Sequence, residues 1–178
     1  MKRRSTFKLL SWFGLGGLMM SPPVHAKTFL TTSQAMSALG AGGARKVSAT
    51  LTSEQAKSIQ SATGVRVRNK TLQVWKTGSG NWFIVDQVIG KHENIDYAVL
   101  LSNTGQVRGI EVMVYRESYG HEIMNPRWKA QFHGKGPGTK LKLDREIKNI
   151  TGATLSCRHI TEGINRLTET WNQVLRYL

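Results

Sequence analysis

A short run of hydroxyl-bearing residues near the C-terminus is the part of the sequence best suited to chemistry. The run is Thr151-Gly152-Ala153-Thr154-Leu155-Ser156, and it directly precedes a stretch with helical periodicity. It combines hydroxyl groups, a glycine that lets the backbone approach a ligand, and the unpaired N–H groups of a helix start. A helix start accommodates a phosphate well. The run is therefore suited to hold a phosphate, although by itself it is equally typical of a hydroxyl-rich cap of the helix.

The helix that follows must position this run, and it is the clearest element in the sequence. Apolar residues recur at spacings of four and three through a helix predicted over about residues 156–177. They are Ile160, Ile164, Leu167, Trp171, Val174 and Leu178. Such spacing places them on one face of the helix, which we expect to pack on a sheet.

The middle of the chain is rich in β-branched and aromatic residues. Strands are predicted at residues 65–67, 72–75, 82–88, 97–101 and 107–115, with turn signals at residues 77–80 and 102–105. Short strands separated by such turns favour an antiparallel meander. The predicted fold is α+β: a twisted antiparallel sheet packed with helices, with the hydroxyl-rich loop before a long C-terminal amphipathic helix.

Other helices are predicted on both sides of this meander. A short helix is expected at residues 33–39, and a strand at residues 47–51 leads into a second helix. Thr52 and Gln55 have capping-box spacing at the start of that second helix, and Gly64 is placed to end it. After the meander, Asn125 and Pro126 form an N-cap and N1 pair for a helix predicted through Trp128 and Phe132.

The first 26 residues have the features of an export signal. A basic start at residues 2–4 is followed by an apolar stretch over residues 7–20 and a small-x-small cleavage site ending at Ala26. The apolar stretch is short and glycine-rich for a membrane span. The paired arginines at residues 3 and 4 match a twin-arginine signal imperfectly, so we predict general secretion over that route. We also predict cleavage after Ala26 and a periplasmic location, with an uncleaved anchor as the alternative. The remainder is predicted to divide into an N-terminal α/β segment over residues 27–70, packed on a main domain over residues 71–178.

The chain is strongly basic, with 25 Lys and Arg against 11 Asp and Glu and a formal net charge of +14. Cleavage after Ala26 would remove four basic residues and no acids, leaving 21 against 11, or +10. In an exported protein this charge favours anionic lipid surfaces, envelope polymers or acidic redox partners over nucleic acid. A generally solvated basic surface is the alternative. Cys157 is the single cysteine, which excludes an internal disulfide, a cysteine-ligated zinc site and a c-type haem motif.

Four segments together carry a resemblance to a known family. The run from Thr151 to Ser156 resembles the Ser/Thr-Gly-Ala-Thr signature of the FMN-binding domain family, which occurs in the sodium-pumping NADH:quinone reductase and in the related Rnf complex. Residues 115–120 (Tyr-Arg-Glu-Ser-Tyr-Gly) are similar to its Glu-Thr-x-Gly segment, and residues 128–134 (Trp-Lys-Ala-Gln-Phe-His-Gly) to its Trp-x-x-Gln-Phe-x-Gly segment. Residues 90–98 resemble a signature of a small exported subgroup. The matches keep the expected order from about residue 90 to 168.

The resemblance implies that FMN is joined through its phosphate to Thr154 by a separate exported flavin transferase, which uses FAD as donor and needs magnesium. It also implies which residues surround the cofactor: Thr151, Gly152, Ala153 and Ser156 in the loop, and Glu117, Ser118, Tyr119 and Trp128 around the ring. One position departs from the family, which usually has Asp three residues before the first hydroxyl residue. Lys148 stands there, and the nearest upstream acid is Glu146.

The leading hypothesis is an exported carrier that holds FMN covalently and relays electrons in the periplasm between an unidentified donor and acceptor. A tether would be useful where free FMN is scarce, and it would leave redox tuning to the residues around the ring. A flavin-dependent reductase of a small molecule is one alternative, although no acid/base pair stands out. A non-redox basic module of the envelope is the other, with the threonine turn serving only to cap the last helix.

Four further residues that could do chemistry receive ordinary interpretations. His92 and His121 have no second ligand at metal-site spacing, so surface or hydrogen-bonding roles are expected. Cys157 and His159 are two residues apart, which points their side chains away from each other on a helix. A packed Cys157 is therefore expected in place of a thiol nucleophile.

Overall fold

Among residues 27–178, six antiparallel strands form one sheet. The computed structural model describes residues 27–178, so the predicted export signal at residues 1–26 lies outside the described part of the chain. The strands are β1 (Lys27–Thr28), β2 (Arg45–Thr50), β3 (Thr71–Lys76), β4 (Trp82–Ile89), β5 (Asn94–Leu101) and β6 (Val107–Tyr115). They lie in the sheet in the order β1-β6-β5-β4-β3-β2. The helices are α1 (Thr32–Ala38), α2 (Ser53–Thr63), α3 (Pro126–Lys129) and α4 (Thr154–Gln173).

The α+β class and the meander from β3 to β6 are confirmed. Alternation along the strands gives the sheet two apolar faces, as the period of two requires. In β4, Trp82 and Ile84 face the larger core beneath α4, whereas Phe83 faces a smaller core with Ala35 of α1. The N-terminal segment thus adds two strands to the sheet and a helix to its second face.

The strand predicted at residues 65–67 is wrong. Gly64 ends α2 in the left-handed region at φ 76°, and the chain is irregular from there to β3. The place beside β3 at this end of the sheet is taken by β2, and residues 65–67 join no strand ladder. Val67 packs instead on a small apolar cluster with Leu51 and Ile59, which shows that its β-branched side chain serves packing and not a strand ladder.

The predicted start of α2 is confirmed as a reciprocal capping box. Gln55 N donates to Thr52 Oγ1 at 3.1 Å, and Thr52 N donates to Gln55 Oε1 at 2.9 Å. The helix predicted through Phe132 is shorter than expected, because α3 ends at Lys129 and a 3₁₀ turn covers Ala130–Phe132.

Helix α4 begins two residues earlier than predicted, so that Thr154 is its first residue. Its predicted apolar face is buried as far as Val174, where the backbone leaves helical geometry and a 3₁₀ turn follows at Leu175–Tyr177. Leu178 is consequently exposed. Within residues 27–178, no helix combines the length and apolar character that crossing a membrane requires.

Two contacts fix α4 against the sheet. A Cβ on Gly163 would lie 2.3 Å from Tyr97 Oη, so a glycine is needed where the helix crosses β5. Three residues along, Arg166 Nη2 donates to Asp86 Oδ2 of β4 at 2.5 Å. These contacts set the position of α4, and therefore of the hydroxyl-rich loop at its start.

Candidate functional site

Three segments that are distant in sequence meet at a cavity of about 580 Å³ at the start of α4. It is lined by Lys91, His92, Glu117, Ser118, Tyr119, Gly152, Ala153, Thr154, Leu155 and Ser156. Its volume falls within the range of roughly 300–1,000 Å³ that is usual for small-molecule and cofactor sites. Seven of the nine predicted site residues line this cavity; Thr151 and Trp128 do not.

The start of α4 leaves its backbone N–H groups without a side-chain cap. Ala153 is the N-cap residue, no side chain bonds to the helix start, and the first turn contains no acidic residue. The positive end of the helix dipole therefore faces the cavity with no acidic side chain in the first turn of the helix to balance it. The alternative in which a threonine hydroxyl caps this helix is wrong, because Thr154 lies inside the helix and Thr151 is exposed outside it.

The Thr154 hydroxyl is held by Asn149, a residue that the sequence analysis did not single out. Asn149 Nδ2 donates to Thr154 Oγ1 at 3.1 Å, and Asn149 Oδ1 accepts from Ile150 N at 2.8 Å. The second bond fixes the side-chain amide, so its N–H points at the hydroxyl. An Asn in a polar loop carries no sequence signal of such a role, which arises from the folding of the loop.

Replacing Asn149 by alanine is expected to slow attachment of a group at Thr154 without unfolding the protein. One neutral hydrogen bond contributes about 0.5–1.5 kcal/mol, so the initial rate of transfer should fall roughly 2- to 10-fold. The rate is measured as flavin incorporated over time by a purified flavin transferase. Asn172→Ala, on α4 and away from the cavity, is the matched control, and an equal rate loss in both variants would contradict the role of Asn149.

Residues 115–120 pack directly on the start of α4. Gly120 has φ 90°, and a Cβ there would lie 2.6 Å from Tyr115 Oη and 2.9 Å from Ala153 Cβ. Tyr115 Oη donates to Tyr119 O at 2.5 Å and lies 3.3 Å from Ser156 Oγ. These contacts explain why the segment needs a glycine at its end. They also leave the Tyr119 side chain 82% exposed beside the cavity.

Glu117, in the cavity wall, holds the turn between β4 and β5 by hydrogen bonds. Its Oε1 accepts from His92 N at 2.6 Å and from Glu93 N at 3.0 Å. A Cβ on Gly90 would lie 2.5 Å from the same oxygen, so a side chain at this position would displace the carboxylate. Burial raises the pKa of Glu117, but the backbone N–H groups of the turn outweigh it, and the net pKa lies below its ordinary value of 4.5.

The lowered pKa of Glu117 gives its contribution to stability a defined pH dependence. A depressed folded-state pKa means that the stabilisation is present above pH 4.5 and is lost as the pH falls through the folded-state value. At pH 7 we expect Glu117→Gln to lower the free energy of unfolding by about 1 kcal/mol, after discounting for solvent screening. Urea titrations at pH 7 and below pH 4 should show this difference shrinking in acid.

Glu93→Gln is the matched control, since it removes another carboxylate from the same turn. The Glu93 carboxylate forms no ion pair among the described residues. A difference between wild type and Glu117→Gln that stays constant with pH would contradict the role of the ionised carboxylate.

Trp128 lies behind the loop and not in the cavity. Its buried indole Nε1 donates to Lys148 O at 2.8 Å, and Gln131 Oε1 accepts from Lys148 N at 2.8 Å. Trp128 and Gln131, which belong to the same motif, thus hold the backbone that leads to Thr151. Lys148 itself is exposed, so the departure from the usual Asp leaves both backbone contacts in place. Sequence reasoning assigned Trp128 to the ring and gave Gln131 no role.

Cys157 is fully buried in the core, and burial raises the pKa of its thiol. His159 Nδ1 lies 2.5 Å from the carbonyl oxygen of Ile89. The prediction of a packed cysteine is confirmed. His121 stacks edge-on against Tyr115, with ring centroids 5.0 Å apart, whereas His92 lines the cavity.

The donor set at this cavity suits a flavin mononucleotide. A helix start free of side-chain caps and acids accommodates a phosphate, and the cavity volume accommodates a ring system beside it. Residues 90–169 match the family model of the FMN-binding domain, a span that contains all the cavity-lining segments. No curated protein matches the chain. Residues 90–169 belong to the FMN-binding domain family, and the protein is an FMN-binding protein.

Proposed function

We propose that this FMN-binding protein is an exported electron carrier whose FMN is joined by a phosphoester to Thr154. The observation that carries the proposal is the placement of the Thr154 hydroxyl. It belongs to the first residue of an uncapped helix, it is held by Asn149, and its residue lines the cavity. A phosphate on this oxygen would lie next to the free N–H groups of the first turn, which stabilise its charge.

Attachment would be carried out by a separate flavin transferase with FAD as donor and magnesium as its metal. The bond that forms joins Thr154 Oγ1 to the phosphorus of FMN, and the bond that breaks is the diphosphate link of FAD. AMP leaves with the electron pair of that link, and the hydroxyl proton passes to solvent. No oxidant or reductant is needed, because the flavin keeps its redox state in this transfer.

The contacts of Glu117 favour a carrier over a reductase of a small molecule. Glu117 is the carboxylate among the residues that line the cavity, and it already accepts two backbone hydrogen bonds and stays ionised. It is therefore poorly suited to donate a proton to a substrate. The exposed Tyr119 marks an open edge of the cavity, where a redox partner could approach.

The basic charge supports an envelope setting for this carrier. After cleavage at Ala26 the net charge of +10 would favour association with an anionic membrane surface or with acidic donor and acceptor proteins. Such association would shorten the search for partners that are confined to the membrane. The chemical class of the donor and acceptor is thus proposed as acidic redox proteins or membrane-bound redox centres.

The proposal is tested by expressing the chain with and without a flavin transferase and denaturing the purified protein. Flavin fluorescence should remain with the polypeptide after small molecules are removed, and only when the transferase was co-expressed. Flavin that washes away on denaturation would contradict the covalent link. The loaded protein should exchange electrons with small redox dyes without consuming any other substrate; sustained turnover of a small molecule would favour the reductase.

A further inference from the structure

We propose that Lys91 raises the reduction potential of FMN in this cavity by placing a positive charge at its wall. The inference rests on the proposed function, since it requires FMN held at Thr154. Lys91 lies in the turn between β4 and β5 and lines the same cavity as Thr154. Sequence reasoning gave it no role beyond membership of a motif.

The turn that carries Lys91 is fixed in place. Glu117 accepts hydrogen bonds from the N–H groups of His92 and Glu93, the two residues that follow Lys91. Gly90, which precedes it, donates to Glu93 O at 2.7 Å and packs against the Glu117 carboxylate. The backbone on both sides of Lys91 is thereby anchored, so its side chain starts from a defined point on the cavity wall.

The charge of Lys91 is not cancelled by an ion pair. Among residues 27–178 the ion pairs involve other cations, namely Arg116, Lys129 and Arg166. Lys91 is also the one lysine or arginine among the described residues that line the cavity. Two backbone N–H groups of the turn stabilise the negative charge of Glu117 by hydrogen bonds. The ammonium charge of Lys91 remains available to a ligand.

Reduction of the flavin ring at neutral pH takes two electrons from a donor and one proton from solvent, which leaves the ring with one negative charge. A fixed positive charge nearby stabilises the reduced form more than the oxidised form. The residue best placed to supply that charge is Lys91. Its removal should therefore make the bound flavin harder to reduce.

The test compares midpoint potentials of covalently loaded wild type, Lys91→Gln and Lys91→Arg, titrated with dithionite against reference dyes. Lys91→Gln should weaken the preference for the reduced form about tenfold, which lowers the two-electron potential by about 30 mV. Lys91→Arg keeps the charge and should stay close to wild type. Because Lys91 is exposed, the difference between wild type and Lys91→Gln should shrink at high salt.

Lys57→Gln is the matched control, because it removes one charge from an exposed position on α2 away from the cavity. Flavin content of each variant is measured by intact mass. An unchanged potential in loaded Lys91→Gln overturns this inference and leaves the proposed function standing. Loss of flavin from Lys91→Gln alone also overturns it, since Lys91 would then act in attachment. Wild type that carries no flavin overturns the proposed function and the inference together.

Discussion

Thr154→Ala is expected to abolish covalent flavin incorporation completely while leaving the protein folded. The substitution removes the hydroxyl that would accept the FMN phosphate, and alanine is well tolerated at the first position of a helix. Within residues 27–178 the hydroxyl has one hydrogen-bond partner, Asn149, so its loss should cost about 1 kcal/mol of stability or less. The measurement is flavin fluorescence of the denatured protein after co-expression with the transferase, with circular dichroism to confirm the fold.

Two variants make this result specific. Thr154→Ser keeps a hydroxyl at the same position and should still be loaded. Thr151→Ala removes a hydroxyl that is exposed and does not line the cavity, so it should be loaded to the wild-type extent. Residual labelling of Thr154→Ala, or loss of labelling in Thr151→Ala, would contradict the assignment of the acceptor.

Asp86→Ala is expected to produce the largest loss of stability, about 3–5 kcal/mol, because it leaves Arg166 buried without its counter-charge. Asp86 Oδ2 accepts from Arg166 Nη2 and from Tyr97 Oη, each at 2.5 Å, and the Arg166 side chain is 9% exposed. Burial lowers the pKa of Arg166, but Asp86 and Tyr97 outweigh it and raise the net pKa. The arginine is thus charged in the fold, and its Nε has no partner among the described residues.

The control is the double variant Asp86→Ala with Arg166→Met, which removes the charge together with its partner. It should be more stable than Asp86→Ala alone, because no unpaired cation remains in the core. Urea unfolding followed by tryptophan fluorescence gives both values. A loss below about 1 kcal/mol for Asp86→Ala, in the range of exposed ion pairs, would show that the pair is not effectively buried.

Local sequence signals predicted the helices and strands well where a full run of strand-forming residues or a capping motif was present. Strand β6 has the predicted bounds, and the capping box of Thr52 and Gln55 starts α2 as expected. The signal failed at residues 65–67, because β-branched residues next to an edge strand found apolar packing and no pairing partner. It also misplaced the start of α4, since the hydroxyl residues suggested a cap outside the helix and the chain placed Thr154 inside it.

The candidate site was predictable as far as motifs extend. The loop with Thr154 and the segment with Glu117 were both identified, and they lie on one cavity. The residues that hold them depend on contacts across the chain: Asn149 on the hydroxyl and Gln131 on the backbone of Lys148. These contacts join residues through loop geometry and tertiary packing, which periodicity and spacing do not encode.

The attachment of FMN at Thr154 can be read directly by fragmentation mass spectrometry of one tryptic peptide from the protein co-expressed with the transferase. Trypsin cleaves after Lys148 and Arg158, so residues 149–158 form a peptide that contains Thr151, Thr154 and Ser156. We expect this peptide to gain the mass of FMN less one water, and we expect the fragments to place that mass on Thr154. An unmodified peptide, or an adduct on Thr151 or Ser156, would contradict the attachment at Thr154.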